Sequence, residues 1–126
     1  MDKKKILIVD DEPNIVYLTQ MLLEDPHWEI SSAGSGEECL EKIKKQGRPD
    51  LVLLDIMMPG KDGYEVCREI KSAPESKAAT VVFYSALPAD EVRRKMKETG
   101  ADYYLEKSFA VDELKIKIKE IIEKTM

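Results

Sequence analysis

Short apolar runs alternate with longer amphipathic segments along the chain. Fully apolar runs at 6–9 and 51–54, and more mixed runs at 28–33, 80–84 and 101–105, predict five strands. Between these runs, apolar residues recur every three or four positions, which is typical of helices with one buried face. Five strands alternating with five helices predict an α/β fold, in which helices cover both faces of a doubly wound parallel sheet.

Local signals predict where several helices begin. Pro13 suits the first turn of the first helix, and Ser35 with Glu38 has the spacing of a capping box that opens the second. The fourth helix is expected over about 89–99 and the fifth from 111 onward. The apolar residues expected to face the core are Ile15, Val16, Leu18, Met21 and Leu22 in the first helix, and Leu114, Ile118, Ile121 and Ile122 in the fifth.

Length and composition fit one globular domain, which we expect to span residues 1–126. Hydrophobic residues make up 43% of the chain, an ordinary value that excludes a disordered protein. The net charge of -5 argues against direct nucleic-acid binding, and no apolar run is long enough to span a membrane. The apolar run near the start is too short for the core of a signal peptide, so we expect a cytoplasmic protein.

Cysteine and histidine suggest no site of their own. Cys39 and Cys67 lie in apolar helical patterns, which favours reduced core residues over a disulfide. His27 is the only histidine, and its place in a predicted loop disfavours a Ser-His-Asp triad. A metal site with several histidines is excluded.

Polar residues stand within two positions of the ends of four predicted strands. Asp10 and Asp11 follow the first strand, Asp55 the third, Ser85 the fourth and Lys107 the fifth. In doubly wound sheets, ligands bind beyond the carboxyl ends of the strands, where the winding reverses. Carboxylates without histidine or cysteine favour Mg²⁺. Aspartates brought so close would raise one another's pKa unless a cation or the Lys107 ammonium offsets their charge.

Four segments that contain these residues resemble the receiver domain of two-component response regulators. In chain order they read ILIVDDEP, DLVLLDIMMPGKDGYEV, VVFYSA and GADYYLEKSF, and the resemblance runs from about residue 4 to 124. It implies a flavodoxin-like sheet with the strand order 2-1-3-4-5. It also implies a switch that takes a phosphoryl group from a sensor histidine kinase or a phosphotransfer protein, with Mg²⁺ as cofactor.

The resemblance assigns roles to individual residues. Asp55 matches the phosphorylated aspartate, and Asp10 and Asp11 match the acidic pair that holds Mg²⁺. The backbone carbonyl of Met57 matches the third protein ligand, and Lys107 matches the invariant lysine. This set suits phosphoryl transfer, which needs a nucleophile in line and positive charge around the phosphoryl oxygens.

Two further residues match the conformational switch of that family. Ser85 matches the hydroxyl that moves towards the phosphoryl group, and Tyr104 matches the aromatic residue that turns inward behind it. Their movement would repack the surface of the fourth helix, fifth strand and fifth helix. We expect the protein to form a homodimer or to bind a target protein through that surface. Tyr104 on an edge strand could instead serve packing alone.

Other interpretations remain open at this point. Asp10 and Asp11 could cap the first helix, and Asp55 could be an ordinary turn residue. A phosphatase with an aspartyl nucleophile would need a second aspartate as general acid where this chain has Met57, which disfavours it. A receiver-like module that binds partners without phosphorylation would not need the complete set of polar residues. Asp62-Gly63 is interpreted as a turn and helix cap rather than a ligand.

Three positions carry more specific expectations. Ser108 follows Lys107 where the family usually has proline with a cis bond, so we expect a trans Lys107–Ser108 bond. In that family, the positions of Met57 and Leu87, which flank the path of attacking water, influence how long the phosphoryl group lasts. Here neither residue offers a group to orient water, which predicts slow self-dephosphorylation. Ile116 lies opposite the apolar face of the fifth helix. It is either a lone exposed residue or the centre of a contact surface ringed by lysines and glutamates, namely Lys115, Lys119 and Glu120.

Overall fold

A computed structural model of the chain describes residues 2–107 and 112–125. Within these residues, five strands alternate with five helices, as predicted. The strands are β1 (Lys4–Val9), β2 (Trp28–Ala33), β3 (Leu51–Leu54), β4 (Thr80–Ser85) and β5 (Tyr103–Glu106). The helices are α1 (Pro13–Leu22), α2 (Gly36–Gln46), α3 (Gly63–Ser72), α4 (Ala89–Thr99) and α5 (Asp112–Thr125).

The strands form one parallel sheet in the order β2-β1-β3-β4-β5, which confirms the predicted fold class and strand order. The chain winds outward in one direction from β1 to β2, and in the other from β3 to β5. The winding therefore reverses between β1 and β3, and the crevice at their carboxyl ends is where such sheets bind ligands.

The central strands are apolar without interruption because both of their faces are covered. Alternate residues of β1, β3 and β4 enter two separate clusters. Leu7, Val52 and Phe83 belong to the cluster beneath α2, α3 and α4. Ile8 and Leu53 belong to the cluster that also contains residues of α5. Burial of both faces holds β1 and β3 rigidly, so the residues that follow them have well-defined positions.

Side-chain caps begin two of the helices as predicted. Ser35 Oγ accepts a hydrogen bond from the Glu38 amide at 3.1 Å, and the Glu38 carboxylate accepts from the Gly34 amide. Asp62 caps α3, because its carboxylate accepts from the Glu65 amide at 3.0 Å. The interpretation of Asp62 as a cap is confirmed.

The apolar face predicted for α1 is partly wrong. Leu18 is 46% exposed and Met21 is 57% exposed, whereas Thr19 is buried. At 100° per residue, the stripe that meets the sheet is centred near Thr19 and Leu23, and Leu18 and Met21 lie beyond its edge. Tyr17 is also exposed, so α1 presents apolar side chains to solvent.

The fifth strand begins two residues later than predicted. Gly100 ends α4 in the left-handed conformation, and the amides of Ala101 and Asp102 bond to Thr99 Oγ1 and to the Val81 carbonyl. These bonds place residues 101–102 in the connection rather than in the strand. The Asp102 carboxylate then accepts from the Val81 amide and from Lys71 Nζ, both at 2.8 Å, which fixes the entry to β5.

Helix α5 is tied to the loop between α1 and β2. Lys115 Nζ lies 3.4 Å from an Asp25 carboxylate oxygen and donates to the Glu24 carbonyl at 2.6 Å, and Lys119 Nζ lies 3.8 Å from the same carboxylate. The amide of His27 donates to Asp25 at 2.8 Å, and this bond is the largest cause of the lowered pKa of Asp25. These contacts set the rotation of α5 on the sheet.

Two expectations fall outside the described residues: the trans Lys107–Ser108 bond and the start of the last helix at Val111. Both cysteines are buried and unpaired. No helix in the described ranges is both long and apolar enough to cross a membrane.

Candidate functional site

The register of β1 and β3 places two of the aspartates side by side. Val9 pairs with Leu54, the last residue of each strand, so Asp10 and Asp55 follow at the same level of the sheet. The Asp55 amide donates to the Val9 carbonyl at 2.9 Å. This arrangement follows directly from strand pairing, because carboxyl ends of parallel strands meet at one edge.

Three carboxylates converge at this edge. One carboxylate oxygen from each of Asp10, Asp11 and Asp55 lies within 4.8 Å of the others. Asp10 and Asp55 are buried, whereas Asp11 is exposed. Oxygen ligands alone, with one side open to water, fit Mg²⁺, which usually keeps several of its waters. The donor set is therefore suitable for this ion.

Lys107 brings a positive charge to the three carboxylates. Its Nζ donates to Asp10 Oδ2 at 2.8 Å and lies 3.5 Å from Asp55 Oδ1. Burial disfavours the ammonium, but the hydrogen bond to Asp10 and the charges of Asp55 and Asp10 outweigh it and raise the pKa of Lys107. The side chain therefore places a positive charge beside Asp55 and Asp10.

The carboxyl group of Asp55 has a raised pKa. Burial raises its pKa from 3.8 to about 6, and the negative charge of Asp10 adds to this effect. Lys107 and the hydrogen bond from the Ile56 amide act in the opposite direction. The carboxylate is thus poorly solvated and incompletely neutralised, a state that favours binding of a cation beside it.

The segment after β3 reaches α3 through a close backbone approach that the sequence reading did not anticipate. The Gly63 amide donates to the Ile56 carbonyl at 2.8 Å. A Cβ on Gly63 would lie 2.3 Å from the Asp55 carbonyl oxygen, so only glycine fits. The Asp62-Gly63 dipeptide was the available signal, but it indicated only a turn and a helix cap. Met57 lies within this segment with its side chain 67% exposed, and ligation through its carbonyl stays a prediction.

Ser85 and Tyr104 are joined through the connection after β4. Ser85 is buried, and its Oγ accepts from the Leu87 amide at 3.3 Å. The hydroxyl of Tyr104 donates to the Ser85 carbonyl at 3.2 Å and also to the Leu87 carbonyl. A movement of Ser85 would therefore disturb the contacts of Tyr104, although the switch roles of both residues stay predictions.

Ile116 is 57% exposed, as its position on α5 predicted. Of the charged residues expected around it, Lys115 and Lys119 flank it on the side where both contact Asp25, and the contact surface itself stays a prediction. On the other side, Glu113 and Lys117 line a groove of about 370 Å³ next to β5. The residues that border this groove from the sheet are Tyr84, Tyr104, Leu105 and Glu106.

Comparison with known proteins identifies the family. Residues 6–119 match the family described as the response regulator receiver domain. The chain therefore belongs to the response regulator receiver domain family. It is accordingly a signalling domain rather than a conventional enzyme, and an acidic Mg²⁺ pocket is a feature of this family.

Individual relatives agree with this assignment. The transcriptional regulatory protein ResD of Bacillus subtilis is 37% identical over 123 residues, which are 98% of this chain and 50% of ResD. The phosphorylated cyanobacterial phytochrome response regulator RcpA is 32% identical, with a TM-score of 0.82 over 96% of this chain and 92% of RcpA. A response regulator receiver domain protein of Methanospirillum hungatei is 28% identical and has a TM-score of 0.86. The match covers 98% of this chain and 97% of the Methanospirillum chain. The chain spans about half the length of the curated relatives it matches.

Proposed function

We propose that this chain is a phospho-accepting switch of a two-component phosphorelay, in which Asp55 receives the phosphoryl group. The observation that carries the proposal is the convergence of Asp10, Asp11, Asp55 and Lys107 at the reversal point of the sheet. Family membership supports it, and so does similarity to RcpA, whose structure is of a phosphorylated protein.

The phosphoryl donor is a phosphohistidine of a sensor histidine kinase or a phosphotransfer protein. A carboxylate oxygen of Asp55 attacks phosphorus, the P–N bond to the donor imidazole breaks, and the imidazole nitrogen retains the bonding electrons and takes up a proton. Lys107 stabilises the charge on one phosphoryl oxygen, and the Ser85 hydroxyl donates a hydrogen bond to another.

Mg²⁺ would be held by Asp10, Asp11, Asp55 and the Met57 carbonyl, with Asp10 acting mainly through water. When bound, the ion supplies positive charge to a phosphoryl oxygen and offsets the repulsion among the aspartates. The all-oxygen donor set and the raised pKa of Asp55 support this assignment.

The output follows from the coupling of Ser85 to Tyr104. Phosphorylation adds charge and strong acceptor oxygens at Asp55, which draw the Ser85 hydroxyl towards them. Because Tyr104 holds the carbonyls of Ser85 and Leu87, that displacement changes the position of its ring. The surface formed by α4, β5 and α5 is thereby remodelled, and through it the protein dimerises or binds a target, without direct contact to nucleic acid or membrane.

The donor protein approaches the edge that carries Asp55. Helix α1 begins directly beyond Asp10 and Asp11 and exposes Tyr17, Leu18 and Met21. These side chains offer apolar contact area on the helix that begins at this edge. We place the protein in the cytoplasm, a reducing compartment in which its two free thiols would persist.

A phosphorylation assay tests the proposal. We expect the wild type to gain one phosphoryl group from acetyl phosphate in the presence of Mg²⁺, detected by intact mass spectrometry. Asp55→Asn should gain none, and Asp11→Ala should require far more Mg²⁺. Asp50→Asn, at the opposite end of β3, is the matched control and should behave like wild type.

The same assay separates the alternatives. An aspartyl phosphatase would turn over a phosphate ester with Asp55-dependent release of phosphate, whereas this domain should show no turnover of such a substrate. A partner-binding module without phosphorylation would show no mass gain in any variant. Uptake by Asp11→Ala at the wild-type rate and Mg²⁺ dependence would contradict the metal assignment.

A further inference from the structure

Tyr84 lies beneath the ammonium group of Lys107. Lys107 Nζ stands 5.5 Å from the centroid of the Tyr84 ring, within the range of a cation–π contact. The ring is half-buried and packs against the cluster that contains Leu114 and Ile118 of α5. Packing against this cluster therefore holds the Tyr84 ring in place, and one face of the ring meets the Lys107 ammonium.

Strand geometry accounts for this position. Ser85 and Tyr84 are consecutive in β4, so their side chains leave opposite faces of the sheet. The Lys107 amide donates to the Ser85 carbonyl at 2.8 Å, which places the Lys107 backbone at the end of β4. The lysine side chain then runs past Tyr84 to reach Asp10 and Asp55.

The Tyr84 ring attracts the Lys107 ammonium without being a metal ligand, unlike the carboxylates that the ammonium also contacts. Among the described residues, Lys107 Nζ contacts two carboxylates, on Asp10 and Asp55, and the Tyr84 ring. Both carboxylates are also proposed metal ligands, so a bound cation would compete with the lysine for them. An aromatic ring does not bind Mg²⁺, and its attraction for the ammonium persists when the carboxylates are shared.

We infer that Tyr84 is a positioning residue for phosphoryl transfer, whose ring holds the Lys107 ammonium where the phosphoryl oxygens arrive. This inference rests on the proposed function. Tyr84 itself touches neither the phosphoryl group nor the metal, and it acts only through Lys107. The required element is the ring and not the hydroxyl.

Two substitutions separate the ring from the hydroxyl. Tyr84→Leu should slow phosphorylation of Asp55 by acetyl phosphate about three- to tenfold at saturating Mg²⁺, because the ammonium loses its aromatic support. Tyr84→Phe should restore the wild-type rate. Tyr103→Leu removes another half-buried ring from the same cluster and is the matched control, with a rate within about twofold of wild type.

A double-mutant cycle distinguishes positioning from a structural role. In a Lys107→Met background, Tyr84→Leu should cause no further loss, because no ammonium remains to be placed. Thermal unfolding of each variant verifies that it is folded. A wild-type rate for Tyr84→Leu, or an equal loss with and without Lys107, would overturn the inference.

An NMR measurement tests the contact independently of phosphorylation. Protons over an aromatic face resonate upfield, so the ε-methylene protons of Lys107 should be shifted upfield in wild type and Tyr84→Phe, with and without Mg²⁺. The shift should disappear in Tyr84→Leu. Its absence from wild type would refute the contact, whereas an upfield shift in a protein that never phosphorylates Asp55 would refute only the proposed function.

Discussion

At the scale of single residues, Asp55 combines burial with incomplete charge neutralisation. Its carboxylate accepts a hydrogen bond from the Ile56 amide and lies near Lys107, yet Asp10 and the surrounding protein keep its pKa raised to about 6. A group whose folded-state pKa lies above its ordinary value weakens the folded state once it is ionised. The ionised Asp55 carboxylate therefore lowers the stability of the folded protein.

Asp55→Asn should stabilise the metal-free protein. In EDTA at pH 7 we expect the free energy of unfolding to rise by about 1–2 kcal/mol, after allowance for solvent at this edge. The carboxyl contributes fully to stability below its ordinary pKa of 3.8 and loses that contribution as pH rises through about 6. Urea unfolding between pH 4 and 8 measures the difference, which should vanish towards pH 4.

Magnesium provides the control for that experiment. An ion that binds the folded aspartate cluster should stabilise wild type more than Asp55→Asn and reduce the difference in unfolding free energy between them. If Asp55→Asn and wild type had equal free energies of unfolding at pH 7 in EDTA, the environment of the Asp55 carboxylate would not be unfavourable.

Met57 and Leu87 should control the lifetime of the phosphoryl group. Both border a hollow of about 440 Å³ beside the segment that follows β3, and neither can orient a water molecule. Met57→Asn combined with Leu87→Glu should shorten the half-life at least about tenfold, because positioned polar groups assist attacking water. Decay of the phosphorylated species, followed by mass spectrometry, measures this effect.

The adjacent loop position supplies the comparison for the lifetime experiment. Ala86 lies between Ser85 and Leu87 and is exposed. Ala86→Asn adds an amide to the same loop and should leave the lifetime unchanged. An unaltered decay rate in the double variant would exclude Met57 and Leu87 as determinants of lifetime.

At the scale of elements, the connection from β3 to α3 determines where Asp55 points. Asp62 caps α3, and Gly63 packs its backbone directly against the Asp55 and Ile56 main chain. The helix start thus forms one wall of the site, and the loop that carries Met57 is held at both ends. The packing of α3 on the sheet therefore also fixes the position of Asp55.

Gly63→Ala should both destabilise the protein and impair its chemistry. The added Cβ would lie 2.3 Å from the Asp55 carbonyl oxygen and 2.7 Å from Ile56 Cα, and backbone atoms cannot move aside easily. We expect a loss of about 3 kcal/mol in unfolding free energy and slower uptake of a phosphoryl group. Urea unfolding and the acetyl phosphate assay measure the two effects.

A second glycine serves as the reference for this substitution. A Cβ on Gly34 would meet only a Glu38 carboxylate oxygen at 3.7 Å, an ordinary contact. Gly34→Ala should therefore change stability by about 0.5 kcal/mol or less. Equal free energies of unfolding for Gly63→Ala and wild type would contradict the close approach of Gly63 to the Asp55 backbone.

At the scale of the whole molecule, the proposed switch requires that phosphorylation at the carboxyl edge change a surface that partners contact. Tyr104 joins the two through its bonds to the carbonyls of Ser85 and Leu87, and Ile116 stands exposed on α5. Lys115 and Lys119, which neighbour Ile116 on α5, contact Asp25 in the loop between α1 and β2.

Ile116→Lys should weaken association of the activated protein. With beryllofluoride and Mg²⁺, we expect the wild type to dimerise or to bind its target more tightly than without them. The variant should lose about tenfold in affinity, as is usual when the apolar centre of an interface is replaced by a charge. Sedimentation velocity or target pull-down measures the change.

Met21→Lys is the counterpart on another surface. It replaces an equally exposed apolar residue on α1 and should leave this association intact. Equal association of wild type and Ile116→Lys, with and without beryllofluoride, would leave Ile116 as an ordinary surface residue.

The sequence alone determined the alternation of strands and helices and the positions of the polar residues after the strands. Both are local properties, because a buried strand needs a continuous apolar run and a helix needs an apolar residue every three or four positions. Once the strands were parallel, Asp10, Asp55 and Lys107 had to approach one edge. The strand order and the separate roles of these residues came from the resemblance to receiver domains.

Tertiary structure decided the features that depend on how elements rotate and pack. The apolar pattern of α1 was wider than the stripe that the sheet covers, so Leu18 and Met21 face solvent. Lys115 and Lys119, expected only as charged neighbours of Ile116, also contact Asp25, a residue distant in the chain. The closeness of Gly63 to Asp55 and of Tyr84 to Lys107 arises from backbone approach and strand pairing, which no periodic pattern encodes.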